Sequence, residues 1–205
     1  VEHPVTEMIT GLDLVREQIR VAEGERLAFS QADLKIDGHA IEARLCAENP
    51  AKNFLPTPGR VSVWAPAEGP GLRFDSGVES GTDIAMEFDP MIAKVIAKGP
   101  TRREAAARLA RALEMTRIQG IVNNRDFLVS TLRSPAFLAG DTTTDFIERV
   151  APAALREVSP LQLDTVAIGT ALFARAQRRA AARVQRTIPA GFRNSMMPAQ
   201  RVRYR

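Results

Sequence analysis

The sequence has 205 residues, of which 45% are hydrophobic and 25% are charged. This length fits one domain or one and a half, and the composition allows a buried core, which excludes an intrinsically disordered chain. No run approaches the roughly 18 apolar residues that span a membrane, and the first residues lack the pattern of a secretory signal. Cys46 is the only cysteine. We therefore expect no internal disulfide and a reducing compartment, either the cytoplasm or a mitochondrial matrix.

The formal net charge of +4 is unevenly distributed along the chain. No Asp or Glu occurs from Thr165 onwards, so residues 1–164 are net acidic and the tail is basic. The tail arginines are Arg175, Arg178, Arg179, Arg183, Arg186, Arg193, Arg201, Arg203 and Arg205.

The first third of the chain predicts an extended start, one helix and one strand. Residues 2–7 read as extended, and Thr10 followed by Asp13 predicts a capping box for a helix over 11–23. From Lys35 to Glu48 the alternation predicts a strand. Its apolar face carries Ile41, Ala43 and Leu45, and its other face carries Glu42, Arg44 and Cys46.

The remaining elements follow from similar patterns. Short strands are predicted over 60–65, 72–76 and 91–97, and helices over 102–115 and 124–132. Ala151-Pro152 indicates a boundary, and Pro160 suits the first turn of a long helix over 161–186 that Pro189 stops. Residues 201–205 alternate like a further strand.

General catalytic motifs are absent from the sequence. It has no glycine-rich phosphate loop, no nucleophile elbow and no Cys/His cluster for zinc. We interpret His3 and His39 as structural residues, because neither has a second histidine at helical spacing.

Four segments, in order and with matching spacing, carry a resemblance to biotin carboxylases. They are residues 1–7 (VEHPVTE), residues 41–59 with IEARLCAENP and NFLPTPG, residues 88–94 (FDPMIAK) and residues 120–124 (GIVNN). The family often has Asp where Asn49 stands. The resemblance covers roughly residues 1–147 and implies an α+β fold: the end of an ATP-grasp domain (1–30), then the C-terminal domain of a biotin carboxylase, an antiparallel sheet with flanking helices (31–147).

The resemblance implies a catalytic role for two residues. Glu2 matches the general base that deprotonates bicarbonate, and Arg44 matches the arginine that stabilises the enolate of biotin. Val1, Glu2 and Arg44 together would contact bicarbonate and biotin. The alternatives are a solvated carboxylate for Glu2 and a strand arginine paired with Glu42 or Glu48 for Arg44.

Two further residues receive weaker assignments from the resemblance. Asp89 would support the site from behind the residues that touch substrate, although an Asp before Pro is also a common turn. Arg73 would contribute to a dimer contact, although a plain surface arginine is an equal alternative.

The resemblance places the ATP-binding and magnesium-binding residues upstream of Val1. We therefore expect a chain cut from a longer ATP-dependent ligase and inactive alone, with no metal ligands of its own and with biotin on a separate carrier domain.

Residues 148–205 are similar to the start of the helix and β-barrel linker domain in single-chain acyl-CoA carboxylase subunits. This favours a propionyl-CoA or methylcrotonyl-CoA type of enzyme that docks on a carboxyltransferase subunit. One alternative is a nucleic-acid-binding tail, which we disfavour because its arginines alternate with alanines and few aromatic residues accompany them. The other is a non-catalytic docking or dimerisation module, a relic that lost its ATP site.

Overall fold

The computed structural model describes residues 3–184, and the chain divides into two compact units, Val1–Arg156 and Glu157–Arg205. In the first unit the helices are α1 (Val5–Thr10), α2 (Leu14–Ala22), α3 (Arg102–Met115), α4 (Arg125–Arg133), α5 (Pro135–Ala139) and α6 (Phe146–Val150). The strands are β1 (His39–Cys46), β2 (Glu48–Asn49), β3 (Leu55–Pro56), β4 (Gly59–Arg60), β5 (Val63–Ala65), β6 (Leu72–Ser76), β7 (Asp83–Ile84), β8 (Met91–Gly99) and β9 (Arg117–Gln119). Short 3-10 helices lie at Gln31–Asp33 and Pro50–Lys52.

A three-stranded antiparallel sheet in the order β1-β8-β6 forms the centre of the first unit. Strand β1 pairs with β8 along its whole length, and the register shifts between Leu45 and Cys46. The predicted mixture of helices with an antiparallel sheet is therefore confirmed, and the long strand predicted within residues 35–48 is β1.

The hydrophobic core lies between one face of this sheet and helix α3. Leu109 and Leu113 of α3 are fully buried, as are Leu45 of β1 and Val95 of β8. Gly99 ends β8 where the helix comes closest: a Cβ atom there would lie 2.7 Å from the backbone nitrogen of Ala105. The predicted helix over 102–115 is confirmed, and tight packing against the sheet requires its alanines and this glycine.

Smaller strand pairs surround the central sheet. The single strand predicted over 60–65 is wrong, because β4 pairs with β7 whereas β5 pairs with β9. Gly120, just after β9, has a φ of +103° and leaves no space for a Cβ atom next to the backbone of Arg60 and Ser62. This close approach sets the course of the chain from β9 towards α4.

The prediction for the N-terminal segment is also wrong. Val5–Thr10 is helical rather than extended, and the Pro4 carbonyl accepts a hydrogen bond from the Met8 N–H at 3.0 Å. Gly11 ends α1 in the left-handed region, so Thr10 closes one helix and does not cap the next. Asp13 is the N-cap of α2, because its carboxylate accepts from the Arg16 N–H at 2.9 Å.

In the second unit, helix α7 (Pro160–Ala181) begins at a Ser159 capping box with Pro160 in its first turn. The predicted start is confirmed, but the helix ends at Ala181 and not at 186. The predicted stop at Pro189 and the predicted strand over 201–205 lie outside the described residues.

Candidate active site

One face of the central sheet packs on α3, and the other carries charged side chains. We call the second face the polar face and define it by Glu42, Arg44, Lys94, Arg73 and Asp75. Residues opposite each other in antiparallel strands project to the same side. Arg44 lies opposite Lys94, and Lys94 lies opposite Asp75. The predicted position of Arg44 on the polar side of its strand is confirmed.

Arg44 and Lys94 place two positive charges side by side on this face. Arg44 is exposed and Lys94 is half-buried. Like charges directly opposite each other destabilise a sheet, and they favour negative charge in their vicinity. Lys94 was not among the predicted site residues. The sequence contained it in the FDPMIAK segment, but only the strand register shows that it faces Arg44.

The N-terminal segment reaches the polar face through a histidine. The Nδ1 atom of His3 lies 2.8 Å from Oε1 of Glu42, whose side chain is only 9% exposed. His3 is therefore engaged with the strand that carries Arg44, as part of a contact between segments 39 residues apart. Val1 and Glu2 lie outside the described residues, so their roles stay predictions.

A second link between α1 and the sheet uses Arg73. Its guanidinium donates to Glu7 at 2.9 Å and to Asp75 at 2.8 Å. The hydrogen bond to Asp75 contributes most, and together with the bond to Glu7 it raises the pKa of Arg73 above its ordinary value. Arg73 thus holds α1 on the sheet within one chain. Its predicted dimer contact stays a prediction, and 41% of its side chain is exposed.

Asn124 fixes the backbone at the end of β1. Its buried side-chain carbonyl accepts from the Cys46 N–H at 2.9 Å, and its amide donates to the Arg44 carbonyl at 3.2 Å. These bonds satisfy backbone groups where the register with β8 shifts. Sequence reasoning missed this residue, although it ends the GIVNN segment.

Polar side chains cluster just after the Arg44 position. Burial and, after it, the charges of Glu48 and Asp89 raise the pKa of the Cys46 thiol to about 12. Burial, then the charge of Asp89, also raises the pKa of Glu48. Asp89 itself accepts from the Met91 N–H at 2.8 Å, as in the turn that sequence reasoning offered as the alternative. Its supporting role at the site stays a prediction.

Among residues 3–184, no group of three or more His, Cys, Asp or Glu side chains could hold a metal ion. In the same part of the chain, no helix has the length and apolar character needed to cross a bilayer.

Comparison with known proteins places the chain in a family. The model of the biotin carboxylase C-terminal domain matches residues 42–149. The model of the carbamoyl-phosphate synthase L chain, ATP binding domain, matches residues 1–30. Because the first match covers more than half of the chain, the chain belongs to the biotin carboxylase family, whose members are ATP-dependent ligases.

Individual relatives agree with this assignment. Biotin carboxylase 1 of Bacillus subtilis is 48% identical over 148 residues, which are 72% of this chain and 33% of that protein. The mitochondrial propionyl-CoA carboxylase alpha chain of Sus scrofa is 45% identical over 187 residues, 88% of this chain and 25% of that protein. A solved biotin carboxylase domain dimer of the Hydrogenobacter thermophilus 2-oxoglutarate carboxylase has a TM-score of 0.73 at 37% identity, over 78% of this chain and 35% of that one. The chain thus spans about a third or less of these relatives.

Proposed function

We propose that this chain is part of a longer biotin carboxylase that converts ATP, bicarbonate and a biotin-carrier protein into carboxybiotin, ADP and phosphate. The observation that carries the proposal is the pair of cations, Arg44 and Lys94, on the polar face of a sheet that matches the biotin carboxylase C-terminal domain. Each anion in this reaction, bicarbonate included, would be attracted to such a face.

Glu2 is the proposed general base of the first step. Bicarbonate becomes a better nucleophile when it loses its proton. The oxygen that carried the proton then attacks the terminal phosphate of ATP, which gives carboxyphosphate and ADP. The Glu2 carboxylate takes up that proton. The contact between its neighbour His3 and Glu42 supports the proposal, because it ties this segment to the strand of Arg44.

Arg44 is the proposed electrostatic group of the second step. A guanidinium stays charged at every physiological pH and offers a planar set of donors, which suits negative charge that develops during carboxyl transfer. A preorganised donor of this kind is typically worth about 3–4 kcal/mol in the transition state. Asn124 supports the assignment, because it fixes the backbone carbonyl of the same residue.

The cofactors of the proposed reaction are ATP, magnesium and biotin. The Hydrogenobacter thermophilus structure contains MgADP, ADP and bicarbonate. We assign the ATP and magnesium ligands to other parts of the longer protein, as the resemblance to biotin carboxylases implies. We expect the 205-residue chain alone to be inactive. When bound, biotin on its carrier domain supplies the ring nitrogen that accepts the carboxyl group.

The proposed partners follow from the longer relatives. The pig propionyl-CoA carboxylase alpha chain matches 187 residues, beyond the domain match that ends at 149, which supports an acyl-CoA carboxylase with a linker domain and a carboxyltransferase partner. The Hydrogenobacter thermophilus domain is a dimer, which supports a homodimer here with Arg73 near the contact. The proposed compartment is the cytoplasm or a mitochondrial matrix.

A non-catalytic docking module is the second candidate. Helix α7 favours it, because Leu161, Val166 and Phe173 are all more than 60% exposed. Such a surface would bind a partner whether or not the carboxylase site works.

Variants of the full-length protein separate the two candidates. Glu2→Gln and Arg44→Gln should lower the ATP cleavage that depends on both bicarbonate and biotin by about 10²–10³-fold, measured as phosphate release. Arg103→Gln, a change at an exposed arginine of α3, is the matched control and should keep wild-type activity. Equal activity of all three variants would contradict the proposed roles. A folded wild type that binds its partner but never cleaves ATP would favour the docking module.

A further inference from the structure

Glu42 is a buried acid that the proposed mechanism does not use. Its side chain is 9% exposed, and Oε1 lies 2.8 Å from His3 Nδ1. The other oxygen, Oε2, is buried and has no hydrogen-bond partner within the described part of the chain. A carboxyl group in this position loses its hydrogen bonds to water and gains a protein partner within residues 3–184 for only one of its two oxygens.

The residue directly opposite Glu42 in the sheet is apolar. In the register of β1 with β8, Glu42 faces Ile96, which is fully buried and apolar. Arg73 lies opposite Ile96 on the other side, but its donors are used by Glu7 and Asp75. Because one of its two carboxyl oxygens is buried without a hydrogen-bond partner among the described residues, stability alone explains Glu42 poorly.

The position of Glu42 suggests a different reason for the acid. Glu42 and Arg44 share one face of β1, and two residues along a strand are separated by about 6.6–6.8 Å. His3 directly follows Glu2 in the sequence. The contact between His3 and Glu42 thus joins the segment of the proposed base to the strand of the proposed electrostatic group.

We propose that Glu42 is a positioning residue that acts through His3 to hold the segment of the proposed base on the strand that carries Arg44. The bond between Nδ1 of His3 and the Glu42 carboxyl group fixes the orientation of the imidazole ring. Arg44 is fixed from the opposite end by Asn124. The inference rests on the proposed function, and it gives His3 a role that sequence reasoning did not assign.

The test uses the full-length protein and measures kcat and KM for bicarbonate-dependent ATP cleavage. Glu42→Ala and His3→Ala should each lower kcat by about 10- to 100-fold, because a misplacement of about 1 Å can cost that much, while KM for ATP changes little. His3→Asn, which keeps an N–H donor near the Nδ1 position, should retain most of the activity. The kcat of the double variant should equal that of the less active single variant, because both single changes remove the same contact.

Glu17→Ala is the matched control. Glu17 is also a largely buried acid, 16% exposed, which pairs with Arg20 at 3.1 Å and leaves its Oε2 atom buried without a partner in residues 3–184. It lies on α2, outside the proposed site, so its loss should leave kcat unchanged.

Two results would overturn the inference. One is wild-type kcat in His3→Ala, a variant at a half-exposed side chain that remains informative even if Glu42→Ala fails to fold. The other is a double variant whose loss equals the product of the two single losses. A wild type without bicarbonate-dependent ATP cleavage would instead overturn the proposed function.

Discussion

Helices α3 and α7 have similar compositions and very different surroundings. Both are rich in Ala, Leu and Arg, and both start at a hydroxyl N-cap. Six residues of α3 are buried, whereas none of the 22 residues of α7 is. Leu109 of α3 is fully buried, and Leu163 of α7 is 57% exposed.

The difference shows what local sequence signals can and cannot provide. A capping box and a first-turn proline favour a helix at Pro160 without any tertiary contact. Most helical stability in proteins comes from burial of an apolar face, and within residues 3–184 such burial is found for α3 and not for α7. The two helices should therefore respond differently to the same substitution.

Truncation of a leucine should give the largest difference in stability between a change in α3 and the same change in α7. Leu109→Ala removes a fully buried side chain and should lower the free energy of unfolding by about 2–5 kcal/mol. Leu163→Ala, the matched change in α7, should lower it by no more than about 0.5 kcal/mol. Chemical denaturation of both variants measures this, and equal losses would contradict the account.

Asn124 should give the next largest effect, because it connects the core to the site. Asn124→Ala leaves the Cys46 N–H and the Arg44 carbonyl buried without their present partner. We expect a loss of about 1–3 kcal/mol in the free energy of unfolding. Asn123→Ala, one residue earlier, is a control, since the described hydrogen bonds of the Asn123 side chain reach only residues two positions away. A loss of unfolding free energy in Asn123→Ala as large as that in Asn124→Ala would contradict this role of Asn124.

Removal of the two helix caps should also distinguish α3 from α7, with an effect of about 1 kcal/mol on helix stability. The Thr101 hydroxyl accepts from the Glu104 N–H and the Ser159 hydroxyl accepts from the Gln162 N–H, both at 3.3 Å. Thr101→Ala should lower the free energy of unfolding of the first unit, because α3 belongs to its core. Ser159→Ala should lower helix content, measured by circular dichroism, and leave that free energy unchanged.

The smallest expected effect is a change in how the free energy of unfolding depends on pH. Burial and the charge of Asp89 raise the pKa of Glu48, so the folded state binds its proton more tightly. The resulting stabilisation is present below the ordinary carboxyl pKa and is lost as pH rises through the folded pKa. Glu48→Gln should therefore become more stable relative to wild type as pH rises from about 4 to 7.

Asp33 is the control of opposite sign. Hydrogen bonds from the backbone and hydroxyl of Ser30 lower its pKa. Asp33→Asn should lose stability relative to wild type over the same rise in pH, because the contribution of Asp33 is present above its unfolded pKa. Parallel trends in the two variants would contradict the assigned causes.

Periodic segments were the predictable part of the fold. The helix at Arg102–Met115 and the strand at Leu72–Ser76 follow from local patterns, because their apolar residues recur at the spacing of the element. The helix at Val5–Thr10 was missed, because its six residues are too few to show a period and Pro4 favours an extended reading. The break between β4 and β5 was missed because their partners, β7 and β9, are distant in sequence.

The site shows the same division. Arg44 was found through its motif and its place on an alternating strand. Lys94, Asn124 and Glu42 are placed by strand register or by side-chain contacts between residues as far as 80 positions apart, and no local pattern reports those.

The most direct test of the central claim is transfer of labelled bicarbonate to biotin by the full-length protein with ATP and magnesium. The account predicts ATP-dependent labelling of biotin by the wild type. It also predicts a loss of about 10²–10³-fold in Arg44→Lys, since an ammonium lacks the planar donors, and wild-type labelling in Arg103→Lys. A wild type that is folded and binds ATP but labels no biotin, or an Arg44→Lys variant as active as Arg103→Lys, would contradict it.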